Sequence, residues 1–408
     1  MEGASNLYYF NPTCEYAVAN GNASWQPNRL LQKMESDLDT LPMFFGQAND
    51  YVLVNTIPSV EFQDSLKQLN FKLPNFIEWQ KALSDSTFQH KKWERILPWG
   101  WSPAAHKRMQ PFKNNSSVEF KASPIFEWKP QYGNFYSKKF GLNILRSLLK
   151  KFPKDVYIDF EYTAKIVMQK TEFELLLKKW GRLMVKAPWS SSGRGLQPVT
   201  KTPVHEKVWE KLLGIINEQG YAIVEPYLNK VLDIAFQFEI LHGKVRFLGI
   251  SNFTTDSKGQ YLGNHLNGLP PGVPTDVKLF VENHTSDIIE SLILVIGKSS
   301  LIKNYEGNFG VDALIYRNNN DILKINPCLE INLRQNMGLL ALQLEKLLAP
   351  GRKGMYKMWF NPGTFFCEFN SEMQKKYPLV IRNGKIESGY LAITDARYDS
   401  IFGAYVLV

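Results

Sequence analysis

The sequence has 408 residues, of which 44% are hydrophobic, and a net charge of +9. A chain of this length exceeds one ordinary hydrophobic core, and its apolar content excludes a disordered protein, so we expect two or three packed units. The longest apolar stretches, 288–297 and 339–348, contain Glu or Lys and are far shorter than the ~20 residues that span a bilayer. The composition therefore predicts a globular, multi-domain protein without a membrane-spanning segment.

The positive charge admits nucleic acid, an anionic membrane surface or a polyanionic small molecule as a partner. The basic residues occur as short pairs, such as Lys91-Lys92 and Lys150-Lys151, beside aromatic or apolar residues. This pattern favours solvated faces and phosphate contacts over a nucleic-acid-binding tail.

The cysteines and the first residues bear on the compartment. Cys14, Cys328 and Cys367 are too far apart for the paired spacing of a zinc site or for a disulfide framework. Glu2 stands where a secretory signal carries a basic residue. We therefore expect a cytoplasmic protein.

The first hundred residues alternate between strand and helix patterns. Residues 7–10 and 51–54 form short apolar runs that predict buried strands, and 27–41 carries a helical apolar stripe between them. Strand, helix and strand in this order predict an α/β layer with parallel strands. Ligands of such layers bind beyond the carboxyl ends of the strands, so 11–15 and 98–101 are candidates for substrate contact, with rigid turns as the alternative.

A Pro- and Ser-containing stretch at 111–130 indicates a boundary before the second unit. Helices are then predicted at 138–149 and 171–180. The strand 182–186 ends in Lys186 and leads into a Ser/Gly-rich loop at 190–195.

This strand and loop have the composition of a phosphate cradle. Lys186 supplies an ammonium, Gly193 and Gly195 permit close backbone approach, and Arg194 can neutralise phosphate charge, while Ser191 and its neighbours add hydroxyl donors. An ordinary turn is the alternative, because a Ser/Gly loop after a strand is common and no Walker pattern is present.

A second segment can present a backbone edge to a nucleotide base. The apolar strand at 222–228 contains Glu225 and leads to Asp233, whose carboxylate can accept ribose hydroxyls. The alternative is a β-hairpin with a solvated Glu225.

A third segment carries clustered oxygen ligands. Two strands joined by an Asn-rich turn would bring Asp312 beside Glu330, and the alternation of side chains along a strand places Glu330, Asn332 and Arg334 on one face. Carboxylate and amide oxygens suit magnesium that is held jointly with nucleotide phosphates. A structural salt-bridge cluster is the alternative.

Taken in order, these segments resemble the nucleotide site of the ATP-grasp superfamily, whose members mostly join a carboxylate to an amine or thiol through an acyl phosphate. The resemblance implies an α/β protein in which a parallel α/β domain at 1–120 precedes an ATP-grasp domain at 121–345, whose two α+β subdomains hold the nucleotide. The resemblance does not explain the segment 346–408, which we expect to be a strand-rich extension. Strand-like runs in the extension lie at 365–369 and 405–408.

The resemblance also assigns roles to single residues. Lys138 or Lys139 resembles one phosphate lysine of the family and Lys186 the other, and the carbonyl of Pro226 and the amide of Leu228 would contact the base. Asp233 stands at the ribose position, where the family more often has Glu. The implied nucleotide residues are Lys138, Lys139, Lys186, Ser191, Ser192, Gly193, Gly195, Glu225, Pro226, Tyr227, Leu228 and Asp233. The implied metal ligands are Asp312, Glu330 and Asn332, and the implied catalytic residues are Arg334, Lys186 and Arg194.

The resemblance implies ATP as cosubstrate with one or two Mg²⁺ ions, and Mn²⁺ as an alternative ion. The expected substrates are a small-molecule or peptide carboxylate and an amine or thiol acceptor, with no membrane or nucleic-acid partner. A phosphotransferase acting on a hydroxyl and a nucleotide-binding regulator without turnover remain alternatives, because one fold serves several reactions. The oligomeric state also stays open, a homodimer included. We further expect 190–195 to form a lid that orders over bound phosphates.

Overall fold

The computed structural model describes residues 5–190, 195–256 and 259–408. Within these ranges, no helix is long and apolar enough to cross a membrane.

The first unit is a parallel sheet of four strands in the order β3-β2-β1-β4. Its strands are β1 (Ser5–Tyr9), β2 (Tyr51–Val54), β3 (Asn75–Glu78) and β4 (Trp93–Pro98). Short helices surround it: α1 (Cys14–Asn20), α2 (Arg29–Asp37), α3 (Val60–Lys67), α4 (Trp79–Ser84), α5 (Ser86–Gln89), α6 (Pro103–Met109) and α7 (Val118–Ala122). The predicted parallel α/β layer is thus confirmed.

Two loops meet at the carboxyl edge of this sheet. The Asn11 side chain donates a hydrogen bond to the carbonyl of Gly100 at 2.8 Å, so the loop after β1 is tied to the loop after β4. Both segments that the sequence singles out for ligand contact therefore lie side by side.

A second, small sheet follows, and its strands pair in the order β5-β8-β6-β7. The strands are β5 (Lys165–Val167), β6 (Leu183–Lys186), β7 (Leu196–Val199) and β8 (Ala222–Pro226), and all pairs are antiparallel. Helix α8 (Lys138–Lys151) precedes the sheet, and α9 (Lys170–Trp180) and α10 (Glu206–Gln219) connect its strands. The apolar faces of α9 and α10 bury Phe173, Leu212 and Ile215 against this sheet.

The largest element is an antiparallel sheet of eight strands in the order β13-β12-β9-β10-β11-β14-β18-β17. It is built from β9 (Asn229–Leu241), β10 (Lys244–Thr255), β11 (Tyr261–Leu266), β12 (Gly307–Arg317), β13 (Leu323–Asn332), β14 (Gly354–Phe360), β17 (Tyr390–Ala392) and β18 (Phe402–Leu407). Helices α11 (Thr275–Gly297) and α12 (Met337–Glu345) accompany it. The sheet runs on past residue 345, because β14 pairs with β11.

The C-terminal segment holds one helix that the sequence does not predict. The sequence predicts a strand-like run at 365–369, and this prediction is wrong, because α13 (Phe366–Lys376) occupies the segment. Phe366, Phe369 and Met373 recur three and four residues apart, which is a helical period. Phe369 packs against Tyr390 and Tyr405 of the large sheet, whereas the strand expected at 405–408 is present as β18. A small hairpin of β15 (Val380–Arg382) and β16 (Lys385–Ser388) follows α13.

One hydrophobic core joins the first unit to the C-terminal strands. Phe10, Val52 and Trp99 of the first unit belong to the same buried cluster as Tyr356 and Val406. The first unit and the C-terminal strands therefore form one wall of the molecule together.

Candidate active site

A cavity of about 680 Å³ lies between the small sheet and the large sheet and extends to the loops of the first unit. Most of the residues that the sequence singles out line it. They are Lys138, Lys186, Glu225, Pro226, Tyr227, Leu228, Asp233, Asp312, Glu330, Asn332 and Arg334. The fold thus brings three separate motifs to one place.

Two buried lysines each form an ion pair with a carboxylate in this cavity. Lys186 ends β6, and its Nζ lies 2.6 Å from Oε1 of Glu225 on the neighbouring strand β8. Lys138 begins α8, and its Nζ lies 2.7 Å from Oε2 of Glu330 on β13. Burial disfavours the charged form of Lys138, but Glu330 and Glu15 outweigh it, so the pKa of Lys138 is raised.

A close approach of helix to strand sets the position of Lys138. A Cβ on Gly141 would lie 3.2 Å from the Cα of Glu330, so the absence of a side chain lets α8 rest on the backbone of β13. Lys138 stands one turn earlier in α8 and also donates to the carbonyl of Ser190 at 2.9 Å. Lys139 is exposed, and its ammonium lies 5.7 Å from the ring centre of Tyr221. The structure thus brings Lys138, and not Lys139, into the cavity.

The β12–β13 hairpin carries the oxygen ligands that the sequence predicts to cluster. Asp312 and Glu330 are directly paired across the two strands. Asn332 donates to Oδ2 of Asp312 at 3.1 Å and accepts a hydrogen bond from Arg334, also at 3.1 Å. Asp312, Asn332 and Arg334 are therefore linked by hydrogen bonds, and Glu330 lies opposite Asp312 on the paired strand.

The two carboxylates of this hairpin differ in charge state. Burial and the neighbouring Glu330 raise the pKa of Asp312 above its ordinary value. Burial also opposes ionisation of Glu330, but Lys138, Lys186 and Arg334 outweigh it and hold the pKa of Glu330 low. The shifts therefore favour the ionised form of Glu330, which is ion-paired with Lys138, over that of Asp312.

Arg334 is fixed from the other side by the first unit. Its Nε lies 3.0 Å from Oε1 of Glu15, a buried residue of α1. The acidic neighbours raise the pKa of Arg334 further, so the guanidinium stays charged. The sequence placed Glu15 in a candidate ligand loop but gave no sign of this pairing, since the two residues are 319 positions apart.

The opposite end of the cavity has the features of a base and ribose site. The backbone of Pro226 to Leu228 borders the cavity, and the Tyr227 amide is held by the carbonyl of Arg182 at 3.0 Å. Asp233 accepts hydrogen bonds from Lys230 at 2.7 Å and from Thr255 at 3.1 Å. Glu225 is ion-paired with Lys186, so the alternative of a solvated Glu225 is wrong. Lys230 and Thr255 were not predicted.

No family model matches this chain, and no curated protein matches it by sequence. Solved structures do resemble it. A biotin carboxylase from Campylobacter jejuni, in complex with β,γ-ATP, has 14% identity and a TM-score of 0.52, over 99% of this chain and 86% of its own. An N5-carboxyaminoimidazole ribonucleotide synthetase in its ADP complex has 8% identity and a TM-score of 0.50, over 99% and 92%. Both are ATP-grasp enzymes.

The chain has the ATP-grasp fold. The expected resemblance and the α/β class are therefore confirmed. The domain boundaries at 120 and 345 and the roles of single residues remain predictions.

In this ATP-grasp fold, the hairpin residues fit a magnesium ion. The carboxylates of Asp312 and Glu330 and the amide oxygen of Asn332 are hard oxygen donors on two paired strands. Desolvation and the neighbouring Glu330 raise the pKa of Asp312, and a divalent cation would offset the repulsion between the two carboxylates. The donor set thus suits one or two such ions.

The structure describes the two ends of the predicted phosphate loop, Ser190 and Gly195. The amide of Ala187 donates to the carbonyl of Gly195 at 2.9 Å. A Cβ on Gly195 would lie 2.2 Å from Oγ of Ser190, so this position requires glycine. Ser191, Ser192, Gly193 and Arg194 lie outside the described residues, and the predicted lid stays a prediction.

A second cavity of about 970 Å³ opens at the carboxyl edge of the parallel sheet. It shares Phe10 and Thr13 with the first cavity. Among the described residues, none of those predicted to bind nucleotide or metal lines it. The first cavity is therefore the candidate active site, although it is the smaller of the two.

Proposed function

We propose that this protein is an ATP- and magnesium-dependent ligase that activates a substrate carboxylate as an acyl phosphate for attack by an amine or thiol. The observation that carries the proposal is the convergence of Lys138, Lys186, Glu330 and Arg334 in one cavity with the paired Asp312. ATP-grasp geometry supports the class of reaction, and the residues supply the chemistry.

The two lysines would bind the phosphates. Each is held in place by a carboxylate, Glu225 or Glu330, so a fixed positive charge faces the cavity before any ligand arrives. Asp312, Glu330 and Asn332 would hold magnesium, which supplies charge neutralisation at the phosphates. The backbone at 226–228 would contact adenine, and the Asp233 carboxylate would accept ribose hydroxyls.

The proposed reaction has two steps. A carboxylate oxygen of the substrate attacks the γ-phosphorus of ATP, an acyl phosphate forms, and ADP leaves. The nitrogen or sulfur of the acceptor then attacks the acyl carbon, inorganic phosphate leaves, and the acceptor loses one proton. Arg334 is charged and fixed by Glu15 and Asn332, so its guanidinium can stabilise the negative charge on the acyl oxygen. Arg194 and the rest of the loop would cover the phosphates.

Hydroxylamine trapping tests this proposal. The protein is incubated with ATP·Mg, hydroxylamine and a panel of carboxylic acids, and ADP and hydroxamate are measured together. Equal amounts of ADP and hydroxamate are expected, because hydroxylamine intercepts an acyl phosphate. A stable phosphate ester would instead support a phosphotransferase, and nucleotide binding without ADP release would support a regulator. Either result contradicts the ligase.

A further inference from the structure

The candidate active site has a charged half and an uncharged half. The charged half consists of the lysines, acids and Arg334 described above, which come from residues 138–334. The uncharged half is the wall formed by residues 10–99 and 336–402. Among the described residues of those two segments, no Lys, Arg, Asp or Glu lines the cavity.

Apolar side chains dominate the uncharged half. They include Phe10, Met34, Trp99, Met358, Phe360 and Phe402. Phe360 and Phe402 are paired across β14 and β18, and their rings stack at 4.4 Å between centroids. Phe360 is nevertheless 47% exposed. A large ring that is held in place yet open to the cavity leaves apolar surface for a ligand to cover.

Methionines from three elements give this wall an adaptable shape. Met34 belongs to α2, Met337 begins α12 and Met358 lies in β14, and all three line the cavity. The Tyr356 hydroxyl lies 3.2 Å from Sδ of Met337 and 3.0 Å from Sδ of Met358. Unbranched thioether side chains conform to varied apolar bodies, so the wall suits a flexible chain as well as a ring.

The uncharged half begins directly beside Arg334. The amide of Gln335 donates to the carbonyl of Trp99 at 2.7 Å. A Cβ on Gly100 would lie 3.0 Å from the Cβ of Arg334, so the Trp99–Gly100 turn is in contact with the arginine. A substrate whose carboxyl group faces Arg334 therefore has the uncharged half within reach of its remaining atoms.

We propose that the uncharged half binds the body of the carboxylic acid substrate, and that this substrate is a monocarboxylic acid with an aliphatic or aromatic body. This inference rests on the proposed ligase function. A second charge on the body would lose its hydration without gaining a partner on this wall, and that cost exceeds any gain from contact. An apolar body gains about fourfold in affinity for each methylene that it buries.

Two matched series of acids test the inference. Butanoate, hexanoate and octanoate are titrated into the protein by calorimetry, beside succinate, adipate and suberate as dicarboxylates of equal length. Each titration is made with and without ADP·Mg. The affinity of the monocarboxylates should rise about fourfold per buried methylene, whereas the affinity of the dicarboxylates should not rise.

A pair of phenylalanine variants locates the effect. Phe360→Asp should weaken octanoate binding at least about tenfold, because it places a charge on the apolar wall. Phe365→Asp is the control, since Phe365 is 45% exposed, lies five positions away and does not line the cavity. Neither variant should change ADP·Mg affinity. Both side chains are exposed, so we expect both variants to fold. The comparison of the two acid series in the wild-type protein does not depend on these variants.

The outcomes separate this inference from the proposed function. Equal slopes for the two acid series, or no binding of octanoate, would overturn the inference even when ADP·Mg binds. Equal octanoate affinity in Phe360→Asp and Phe365→Asp would overturn it as well. Failure to bind ADP·Mg would contradict the ligase proposal instead, and the titrations without nucleotide would still measure the preference of the uncharged half.

Discussion

The two halves of the cavity are built from different kinds of side chain, charged in one half and mainly apolar in the other. In the charged half, each described cation that lines the site has a carboxylate partner, in the pairs Lys138–Glu330, Lys186–Glu225, Lys230–Asp233 and Arg334–Glu15. In the uncharged half, the wall consists of buried rings, such as Phe10 and Trp99, and of partly exposed side chains, such as Met34, Met358 and Phe360. Paired charges fix positions, whereas apolar contacts accept variation in shape.

This contrast implies different responses to substitution. Buried ion pairs contribute little net stability, because desolvation offsets their attraction, but removal of one partner leaves an uncompensated charge. Apolar contacts lose free energy roughly in proportion to the area removed. We therefore expect single substitutions in the charged half to cause large losses of free energy. In the uncharged half, the loss should scale with the apolar area that a substitution removes.

The largest effect is expected from Lys138→Met. Removal of the ammonium takes one positive charge from the proposed phosphate site and leaves Glu330, whose side chain is only 21% exposed, without its nearest partner. Turnover should fall about a thousandfold. The free energy of unfolding, measured by urea denaturation, should fall by about 3–5 kcal/mol.

An exposed ion pair of the same kind provides the control for Lys138→Met. Lys67 and Asp64 lie 2.9 Å apart, and more than half of each side chain is exposed. Lys67→Met should change the free energy of unfolding by less than about 1 kcal/mol. Equal losses of unfolding free energy in the two variants would contradict the view that burial makes substitutions in the charged half strongly destabilising.

The second largest effect is expected from Glu330→Gln, which should lower the affinity for ATP·Mg. The amide keeps the shape of the side chain but removes a charged oxygen ligand, so magnesium-dependent affinity should fall at least about tenfold. Calorimetric titration of ATP with magnesium and with a chelator measures this dependence. Affinity without magnesium should change less.

A second buried ion pair tests whether Glu330→Gln acts through the site. Arg95 and Glu306 lie 2.5 Å apart and outside the cavity. Glu306→Gln should leave ATP·Mg affinity unchanged, although stability falls. If both variants bind ATP·Mg as the wild type does, Glu330 has a structural role and the magnesium assignment is wrong.

The charged half could be predicted from sequence because its residues lie in contiguous segments with a local signal. Asp312 and Glu330 belong to two strands joined by one turn, and strand alternation then places Asn332 with them. The choice between Lys138 and Lys139 could not be predicted, because it depends on how closely α8 rests on β13. That approach is set by Gly141 and is a tertiary feature.

Most of the uncharged half had no such local signal. Met34, Met358 and Phe402 come from three distant segments, and each alone reads as an ordinary core residue, whereas Trp99 lies in the loop 98–101 that the sequence predicts as a candidate for substrate contact. The run at 365–369 shows a similar limit of sequence-based prediction. Five residues rich in apolar side chains fit a strand as well as a helix, and only the residues of the following turn distinguish the two. The parallel sheet of the first unit was predictable, because strand and helix periods alternate there.

The border of the uncharged half carries one acid with an unusual pKa. Thr13, which lines both cavities, donates its hydroxyl to Glu35. Burial raises the pKa of Glu35 to about 7, and the hydrogen bond from Thr13 and the charge of Arg108 only partly oppose this effect. Below neutral pH, Glu35 is therefore uncharged like the wall beside it.

Glu35→Gln tests this assignment through the pH dependence of stability. The folded pKa lies above the unfolded value, so folded wild type binds more protons and loses stability as pH rises from 4.5 to about 7. Gln keeps an acceptor for Thr13 and does not titrate. The variant should gain on the order of 2 kcal/mol over wild type across this interval. Parallel unfolding curves in urea from pH 4.5 to 7 would contradict the raised pKa.

The smallest effect is expected from Gly141→Ala, which separates position from stability within the charged half. The new Cβ would lie 3.2 Å from the Cα of Glu330, so α8 must move away from β13 by a few tenths of an ångström. Alanine favours a helix over glycine by up to about 1 kcal/mol, which offsets the strain, so the free energy of unfolding should hardly change.

The same shift carries Lys138 away from Glu330 and from the phosphates, so turnover should fall about fivefold. Gly214→Ala is the matched control, because Gly214 lies within α10 and an added Cβ there meets nothing within 4 Å. That variant should gain close to 1 kcal/mol of stability with unchanged turnover. Kinetics and urea denaturation of both variants give the comparison. If Gly141→Ala keeps full turnover, the charged half tolerates displacement as the uncharged half does, and its paired charges are not needed to fix positions.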